Sequence, residues 1–409
     1  MRLTSTEATV RVRPAAGRDF TLVLVGHTLA LVGSSVYQVA LMWWVLAVTG
    51  STTAMATAST FSLVPALVMG PLAGVYVDRL DRRRLLVAST LVQGSLMLVP
   101  ALLLASGRLE VWHTYLVAAA LALAATFSSP AVGASLPNLV AGDGLVRANS
   151  LLQLAVGLSG VLGPALGGMS VASLGEAGTM GLNAAIFLTA GACISLARWT
   201  SPLVGAGQGA PVLGQLAAGL IFIARHLVLL SVAAVTALLN FAAAPLGLLL
   251  PVMAREVLGG GPAAYGTLGA ALSLGATAGA ATMAVRGAVR RKGRVILFAV
   301  AASGLGLAGF GMSRALPAAV ANLVAMGCCI GVANVLFATA LQTLIPDDRR
   351  GRVMAAFSTF NQGLRPLAIM LVGVLADRYP APHILALSGV LIVLVCGSAF
   401  LVPGMRDIS

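Results

Sequence analysis

Short polar segments divide the chain into twelve apolar stretches, and this pattern limits it to very few folds. A helix that crosses a bilayer needs about 20 mostly apolar residues, and each stretch has about that length. The sequence therefore predicts an all-α membrane protein with twelve transmembrane helices. In order, the predicted helices are residues 20–48, 53–77, 85–106, 112–137, 148–174, 180–197, 227–252, 263–285, 295–312, 318–344, 354–376 and 382–401.

The composition supports the same class of protein. Only 9% of the 409 residues are charged and 59% are hydrophobic, with a mean hydropathy of +0.98. Soluble domains carry about 25% charged residues. The net charge of +13 is spread in short groups between apolar stretches, whereas nucleic-acid-binding proteins gather basic residues on a water-exposed face. We therefore predict a lipid-embedded protein with no nucleic-acid partner.

The cysteines give no sign of a metal centre. All four lie inside apolar stretches and lack the spacing of metal ligands, so we interpret them as packing residues. The sequence predicts no cofactor, no metal and no enzymatic activity.

The positions of Lys and Arg set the predicted orientation. With the N-terminus in the cytosol, twenty of these residues fall on the cytosolic side and four on the other side, and Arg365 lies within a helix. Lys and Arg are retained in cytoplasmic loops. The sequence therefore predicts a multi-pass protein of the plasma membrane with both termini in the cytosol.

The longest polar connection divides the chain into two halves. We predict a cytosolic tail at 1–19, a six-helix bundle at 20–198, a cytosolic linker at 199–226 that contains a short surface helix, a second six-helix bundle at 227–403 and a tail at 404–409. The motif Leu162-Gly163-Pro164-Ala165 has a weak counterpart in Leu364-Arg365-Pro366-Leu367. Such a repeat predicts two pseudo-symmetric bundles related by an axis along the membrane normal.

The charged loop after the second helix carries the most specific motif. It reads Gly74-Val-Tyr-Val-Asp78-Arg79-Leu-Asp-Arg82-Arg83-Arg84, and this G-x-x-x-D-R-x-x-R-R pattern resembles the signature loop of the major facilitator superfamily. The resemblance implies that Asp78 faces the N-terminal end of the eleventh helix, near residues 351–355, where a helix dipole stabilises a carboxylate. The implied gating residues of the loop are Gly74, Asp78, Arg79, Arg82 and Arg83. The alternative is a group of arginines that sets topology only.

Other segments refine this resemblance. Gly163 and Pro164 lie in a GVLGPALGG string that resembles the motif of exporters that exchange substrate for protons, and we count both as gating residues. The alternative is ordinary glycine-mediated helix packing. Residues 49–52, 70–74 and 145–151 resemble the branch that contains macrolide-efflux and enterobactin-export proteins, which implies efflux.

Isolated polar residues inside the apolar stretches are the candidate substrate contacts. Arg365 lies 13 residues after Arg352, or ~20 Å into the membrane, and shares a helical face with Asn361 and Gln362. It is interpreted as an anchor for an anionic or strongly polar group, or alternatively as a structural residue bonded to carbonyls that Pro366 exposes.

Further candidates follow from the superfamily fold, which implies a central cavity lined by helices one, four, seven and ten. His27 and Gln38 on the first helix, Asn240 on the seventh and Asn334 on the tenth are therefore predicted substrate contacts. The alternative for each is a hydrogen bond between helices. No carboxylate lies in the predicted bilayer core, so the candidates for proton coupling are His27 and, second, Asp78.

The sequence thus predicts a secondary active transporter that exports an amphipathic small molecule by alternating access. A drug, siderophore or secondary metabolite is the expected substrate, protons are the candidate coupling ion, and the expected state is a monomer in the lipid bilayer. The alternatives are an importer or lipid flippase with the same fold, or a membrane sensor that does not transport.

Overall fold

The computed structural model is all-helical over the residues that it describes, which are 17–140, 144–200, 212–287, 289, 291–345 and 350–401. The helices, in chain order, are α1 (Arg18–Thr49), α2 (Thr52–Arg79), α3 (Arg82–Ala105), α4 (Val111–Ala125), α5 (Ser128–Leu139), α6 (Gly144–Leu196), α7 (Val212–Arg225), α8 (Leu227–Val252), α9 (Pro262–Arg286), α10 (Lys292–Met312), α11 (Leu316–Leu344), α12 (Arg350–Gly363), α13 (Arg365–Ala376) and α14 (Ala381–Leu401). A π-helical turn, Met253–Val257, extends α8.

The predicted twelve crossings are confirmed. Within the described residues, eleven helical segments are long and apolar enough to span a membrane. One of them, α6, has 53 residues, and Gly175 in its middle has non-helical angles of φ 68° and ψ 179°. A straight helix of that length would measure ~80 Å, more than twice a bilayer core. Gly175 therefore divides α6 into two crossings, which correspond to the predicted helices at 148–174 and 180–197.

Two predicted helices are broken where a proline follows. The fourth crossing consists of α4 and α5, which are separated by a turn just before Pro130. The eleventh consists of α12 and α13, which meet at Leu364 with Pro366 in the first turn of α13. Proline has no N–H for the backbone hydrogen bonds of a helix and clashes with the preceding turn, which favours a break at these two places. Pro164 and Pro245 lie inside α6 and α8 at places where the helix is unbroken, so the packing around each proline also decides whether the helix breaks.

We call the side of the bundle at which α1 begins the proximal side and the side at which α1 ends the distal side. The two halves, α1–α6 and α8–α14, share a hydrophobic core at the distal side. Its buried residues include Val45 and Met55 from the first half and Leu249 and Leu268 from the second.

At the proximal side each half has a separate core. Val23, Leu86 and Ile194 belong to a buried cluster whose members all lie between residues 23 and 199, in the first half. Leu229, Leu341 and Phe357 belong to a second buried cluster, whose members lie between residues 223 and 399. Leu216 of α7 packs against this second cluster. Buried apolar residues therefore join the two halves at the distal side. At the proximal side, neither of the two buried clusters contains residues of both halves.

Close backbone contacts between α6 and α9 strengthen the junction of the halves. A Cβ added at Gly168 would lie 2.9 Å from the Cα of Gly266, and Gly266 in turn lies against the carbonyl oxygen of Pro164. Without side chains at these points, the two backbones pack directly, as small residues allow in membrane helices.

The short helix α7 lies within the predicted linker at 199–226, for which the sequence predicts a short surface helix. Residues 201–211 of that linker lie outside the described residues. The domain limits and the location of α7 at the membrane surface therefore stay predictions.

Candidate functional site

A cavity of about 520 Å³ lies inside the second half. It is lined by residues of α8, α10, α11 and α12 and by Ile392 of α14. Its volume falls in the range of about 300–1,000 Å³ that is typical of sites for small molecules. The cavity is mostly apolar, and a few polar side chains of α8, α10, α11 and α12 line it.

The cavity extends inward from the proximal ends of the helices. Gly293 and Leu344 line it within one turn of the ends of α10 and α11. At its deep end it is lined by Leu246, Leu307 and Met326, three residues of the shared distal core. The cavity is therefore closed at the side where the two halves are joined.

Amide side chains from three helices reach the cavity at one depth. Asn240 of α8, Asn334 of α11 and Asn361 of α12 all line it. Each lies 10–13 residues from the proximal end of its helix, which places the amides roughly 15–20 Å from that end. This is about half of the bilayer thickness.

Hydrogen bonds within the helices fix the orientation of these amides. Asn240 Nδ2 donates to the Thr236 carbonyl at 3.0 Å, and Asn361 Nδ2 donates to the Phe357 carbonyl at 2.9 Å. Gln362 Nε2 donates to Ser358 Oγ at 2.9 Å, and both residues line the cavity. One N–H of each of these three amides is thus engaged within its own helix, and the second N–H of each NH₂ group is left for another partner.

The structure brings together four of the seven predicted substrate contacts, namely Asn240, Asn334, Asn361 and Gln362. The other three are not among the residues that line this cavity. On α1, His27 is half-buried and Gln38 is exposed. Arg365 is exposed and is the first residue of α13, beyond the break at Leu364, so it does not lie on the helix that carries Asn361.

Gly163 and Pro164 lie at two helix contacts. A Cβ at Gly163 would collide with the Ser35 side chain of α1, and Pro164 packs against Gly266 and Gly269 of α9. Gly163 therefore permits close packing inside the first half, while Pro164 lies at the junction of the halves.

Two arginines of the charged loop after α2 donate hydrogen bonds to backbone carbonyls of the first half. Arg82 Nη1 donates to the Ala134 carbonyl at 2.7 Å. Arg83 donates to the carbonyls of Ala197 and Ser195 at 2.7 and 2.6 Å, at the C-terminal end of α6. Both side chains thus bind backbone within their own half. The side chains at the predicted gating positions Asp78 and Arg79, and position Gly74, lie outside the described residues, so their roles stay predictions.

Asp81 of the charged loop begins the helix that follows it. Its Oδ1 accepts hydrogen bonds from the backbone N–H groups of Arg83 and Arg84 at 2.9 and 3.1 Å. Asp81 is therefore the N-cap of α3, and an aspartate is well suited to this position.

The sequence analysis gave no role to Asp377, which joins the two halves at the distal side. Its carboxylate accepts hydrogen bonds from Thr52 N and Thr52 Oγ1, both at 2.6 Å, from Ser51 Oγ at 2.9 Å and from Thr53 N at 3.2 Å. We call this contact of Asp377 with Ser51, Thr52 and Thr53 the distal clasp. Partial burial works to raise the pKa of Asp377, but the hydrogen bonds from these residues outweigh it and lower the pKa to about 2.

The helix ends explain the clasp. The first N–H groups of α2 have no partner inside the helix, and the helix dipole favours a negative charge beside them. Thr52 Oγ1 also lies 2.7 Å from the Gly373 carbonyl oxygen, which shares the one proton of the hydroxyl with the carboxylate, and a Cβ at Gly373 would lie 2.5 Å from Ala56 Cβ. The Ser-Thr-Thr run at 51–53 signals a helix start, but no local pattern pairs it with a carboxylate more than 300 residues away.

Two six-helix halves that are joined at one side, with a small-molecule cavity opening toward the other, have the architecture of a major facilitator transporter. The chain belongs to the transmembrane secretion effector family of this superfamily, because the model of that family matches residues 10–407. The predicted family and fold class are thereby confirmed. The family and its relatives are transporters and not enzymes.

Named relatives match nearly the whole chain. Macrolide efflux protein A of Streptococcus pyogenes is 23% identical over 95% of this chain and 96% of its own length. Multidrug efflux pump Tap of Mycolicibacterium fortuitum is 28% identical over the same shares. Enterobactin exporter EntS of Salmonella choleraesuis is 28% identical over 79% of each chain. The predicted resemblance to macrolide-efflux and enterobactin-export proteins is therefore confirmed.

The fold is also that of solved transporter structures. The nucleoside transporter NupG superimposes with a TM-score of 0.74 at 12% identity, covering 92% of this chain and 98% of its own. At this identity the similarity concerns the fold alone.

Proposed function

We propose that the protein is a secondary active transporter that exports an amphipathic small molecule by alternating access. The observation that carries this proposal is the amide-lined cavity, which lies at about half the bilayer depth and is closed at the distal side. The names of the similar proteins, an efflux protein for macrolides, a multidrug pump and a siderophore exporter, support a drug, siderophore or secondary metabolite as substrate.

The proximal side is proposed to face the cytosol. With this orientation the topology predicted from the sequence gives twenty Lys and Arg residues to the cytosolic side and four to the other, in agreement with the retention of basic residues in the cytoplasm. The protein then lies in the plasma membrane with both termini in the cytosol. In the state observed here, a cytosolic molecule can reach the amides through the proximal side, while the distal core separates them from the exterior.

Export requires the distal side to open and the proximal side to close. In this proposal the bundles 20–198 and 227–403 move as units, and opening breaks the distal clasp between Asp377 and the first turn of α2. Closure of the proximal side brings Asp78 to the N-terminal end of α12. A carboxylate at a helix N-terminus would thus hold each side in turn, because the same unpaired N–H groups and dipole are present at both helix ends.

The remaining predicted residues enter the proposal as follows. Asn240, Asn334, Asn361 and Gln362 contact the substrate, and Arg365, His27 and Gln38 are reached only in another state of the cycle. Gly74, Arg79, Arg82 and Arg83 position the loop that carries Asp78, and Gly163 with Pro164 form the packing surface of α6. His27 and Asp78 are the candidate proton carriers, and the transporter acts as a monomer.

Flux measurements in liposomes test this proposal. The purified protein is reconstituted, a pH gradient is imposed, and uptake of a panel of labelled macrolides, catecholate siderophores and neutral dyes is compared with protein-free liposomes. Export predicts flux from the proximal to the distal side. Flux unchanged by the gradient would exclude proton exchange, flux in the opposite direction would identify an importer, and no flux of any compound would favour a membrane sensor.

A further inference from the structure

The turn between α1 and α2 belongs to the first half, and its two helix ends lack charged residues of their own. α1 ends at Thr49 with no basic residue in its last turn, and α2 begins at Thr52 with no acidic residue in its first turn. The last carbonyls of a helix carry a partial negative charge, and its first N–H groups carry a partial positive charge. A cation at the end of α1 and an anion at the start of α2 therefore stabilise this turn.

Arg255 of the second half supplies the cation. Its Nη1 donates a hydrogen bond to the Leu46 carbonyl oxygen at 2.9 Å. The same oxygen accepts the backbone N–H of Gly50, the C-cap of α1, at 3.0 Å. A carbonyl oxygen has two lone pairs and can accept both bonds. Because the guanidinium is ionised, Arg255 makes a charge-assisted hydrogen bond to the negative end of a helix in the other half.

The backbone at Arg255 is fixed by the shared distal core. Arg255 lies in the π-helical turn Met253–Val257, and such turns occur often at functional sites. Met253 and Ala254, the two residues before it, are fully buried among residues of both halves. Leu258 N–H donates to the Met253 carbonyl at 2.9 Å and closes the turn. The second half thus holds the Arg255 backbone in place while its side chain reaches across to α1.

Asp377 supplies the anion at the start of α2, through the distal clasp. The two contacts therefore form a pair, with a cation of the second half at the end of α1 and an anion of the second half at the start of α2. They share no atom, since Arg255 binds Leu46 whereas Asp377 binds residues 51–53. Both contacts cross between the halves, so a motion that separates the halves at the distal side breaks both.

We propose that Arg255 is a gating residue of the distal side and acts jointly with Asp377. Together the two charges hold the α1–α2 turn in the closed state, and one opening motion releases both. The inference rests on the proposed function, because it assigns Arg255 to the opening step of alternating access. It follows that loss of either charge loosens the end of the turn that the other charge holds.

Amide exchange tests whether the two contacts open together. The N–H groups of Thr52 and Thr53 bind Asp377 and not Arg255. Hydrogen–deuterium exchange of the full-length protein in nanodiscs is compared with that of Arg255→Met, by mass spectrometry with fragmentation to single residues. The exchange rate of a protected amide follows the population of the open state. We expect these two amides to exchange about tenfold faster in Arg255→Met, the effect of losing one hydrogen bond from a charged group.

Arg314→Met is the matched control. Arg314 is an exposed arginine at the distal side of the same half, and its side chain forms no hydrogen bond to any described residue. Exchange of Thr52 and Thr53 should stay within about twofold of the wild type in this control. Arg255→Lys keeps a cation and a donor, so it should accelerate exchange less than Arg255→Met does.

The reciprocal variant Asp377→Asn decides the question if Arg255→Met does not fold. Asp377 makes no hydrogen bond with Gly50, whose N–H shares the Leu46 carbonyl with Arg255. If the two contacts open together, Gly50 N–H should exchange about tenfold faster in Asp377→Asn than in the wild type.

Unchanged exchange of Thr52 and Thr53 in a folded Arg255→Met variant would overturn the inference, because Arg255 would then only cap α1. Unchanged exchange of Gly50 in Asp377→Asn, or unprotected Thr52 and Thr53 amides in the wild type, would overturn it as well. These results leave the proposed function intact. The absence of any flux in liposomes is a separate result, which counts against the proposed function and does not alter the measured exchange.

Discussion

Thr52 and Asp377 lie 325 positions apart in the chain, yet the Asp377 carboxylate accepts hydrogen bonds from both the backbone N–H and the hydroxyl of Thr52, each at 2.6 Å. Thr52 begins α2 in the first half and Asp377 follows α13 in the second. The contact therefore connects the two halves at the distal side. Any motion that separates the halves there must break it.

Neutralising Asp377 should favour opening of the distal side. Asp377→Asn weakens charge-assisted hydrogen bonds at a partly exposed site, so we expect a loss of about 1–2 kcal/mol and a 5–30-fold shift toward the open state. Spin labels at exposed Ser106 and Ala315, one in each half, report the shift as a longer distance between the labels. Asp19→Asn is the control, because Asp19 accepts a hydrogen bond from Arg198 N within the proximal region. An unchanged distance distribution in Asp377→Asn would show that the clasp does not hold the halves together.

The distal clasp should be insensitive to pH in the physiological range. The pKa of Asp377 is lowered to about 2 from a usual value of 3.8. A lowered pKa means that the stabilisation is fully present above the usual value and is lost only as the pH falls toward 2. The label distances should therefore be the same at pH 5 and pH 8. A transition with a midpoint between these values would assign the pH response to another group, such as His27.

A methyl group between α6 and α9 should destabilise the transporter. Gly266→Ala would place its Cβ 2.9 Å from the Cα of Gly168 and against the Pro164 carbonyl. Overpacking of this kind costs about 1–3 kcal/mol, which thermal unfolding in detergent would detect as a lower midpoint. Gly247→Ala is the matched control, since its added Cβ meets nothing within 4 Å. Equal midpoints for the two variants would contradict the proposed close contact.

Arg83 should matter more for stability than its neighbour Arg84. Arg83→Ala removes donors to the carbonyls of Ser195 and Ala197, so we expect a loss of about 1–3 kcal/mol. Arg84 is 87% exposed and only 3.8 Å from the Asp81 carboxylate, and such surface pairs contribute little. Unfolding monitored by tryptophan fluorescence compares the two variants. A larger effect of Arg84→Ala would show that the charge of the loop matters and its hydrogen bonds do not.

Asp78→Asn should impair transport and leave membrane insertion intact, because the proposed proximal contact at the N-terminus of α12 needs a negative charge. Flux in liposomes and the yield of monodisperse protein are the two measurements. Asp81→Asn is the control, since asparagine caps a helix about as well as aspartate does. Wild-type flux in Asp78→Asn would remove the argument for a proximal contact.

The predicted substrate contacts show how much of the candidate site could be inferred from the sequence. Asn240, Asn334, Asn361 and Gln362 could be found because an amide in an apolar helix is conspicuous. The sequence also favoured Arg365 on the assumption that one continuous helix carries it with Asn361. Pro366 indicated a distortion, but the turn at Leu364 and the exposed position of Arg365 depend on how α12 and α13 pack.

The cavity of the second half is lined by two of the four helices that the superfamily resemblance implied for a central cavity. Helices one, four, seven and ten were expected to line it, and α8 and α11, the seventh and tenth crossings, do so. No residue of α1, α4 or α5 is among the lining residues. The cavity lies within the second half, in the proximal region where each half has its own buried core.

The sequence by itself determined the twelve crossings and the predicted direction of the chain. These features depend on how each segment interacts with lipid and water, and that interaction is a local property of about 20 residues at a time. The tertiary structure decided which polar groups meet. The bonding of Asp377 to Thr52 and the meeting of Asn240, Asn334 and Asn361 at one cavity both depend on the packing of helices that are far apart in the chain. A hydrogen bond requires atoms to be within about 3 Å, and only that packing brings them so close.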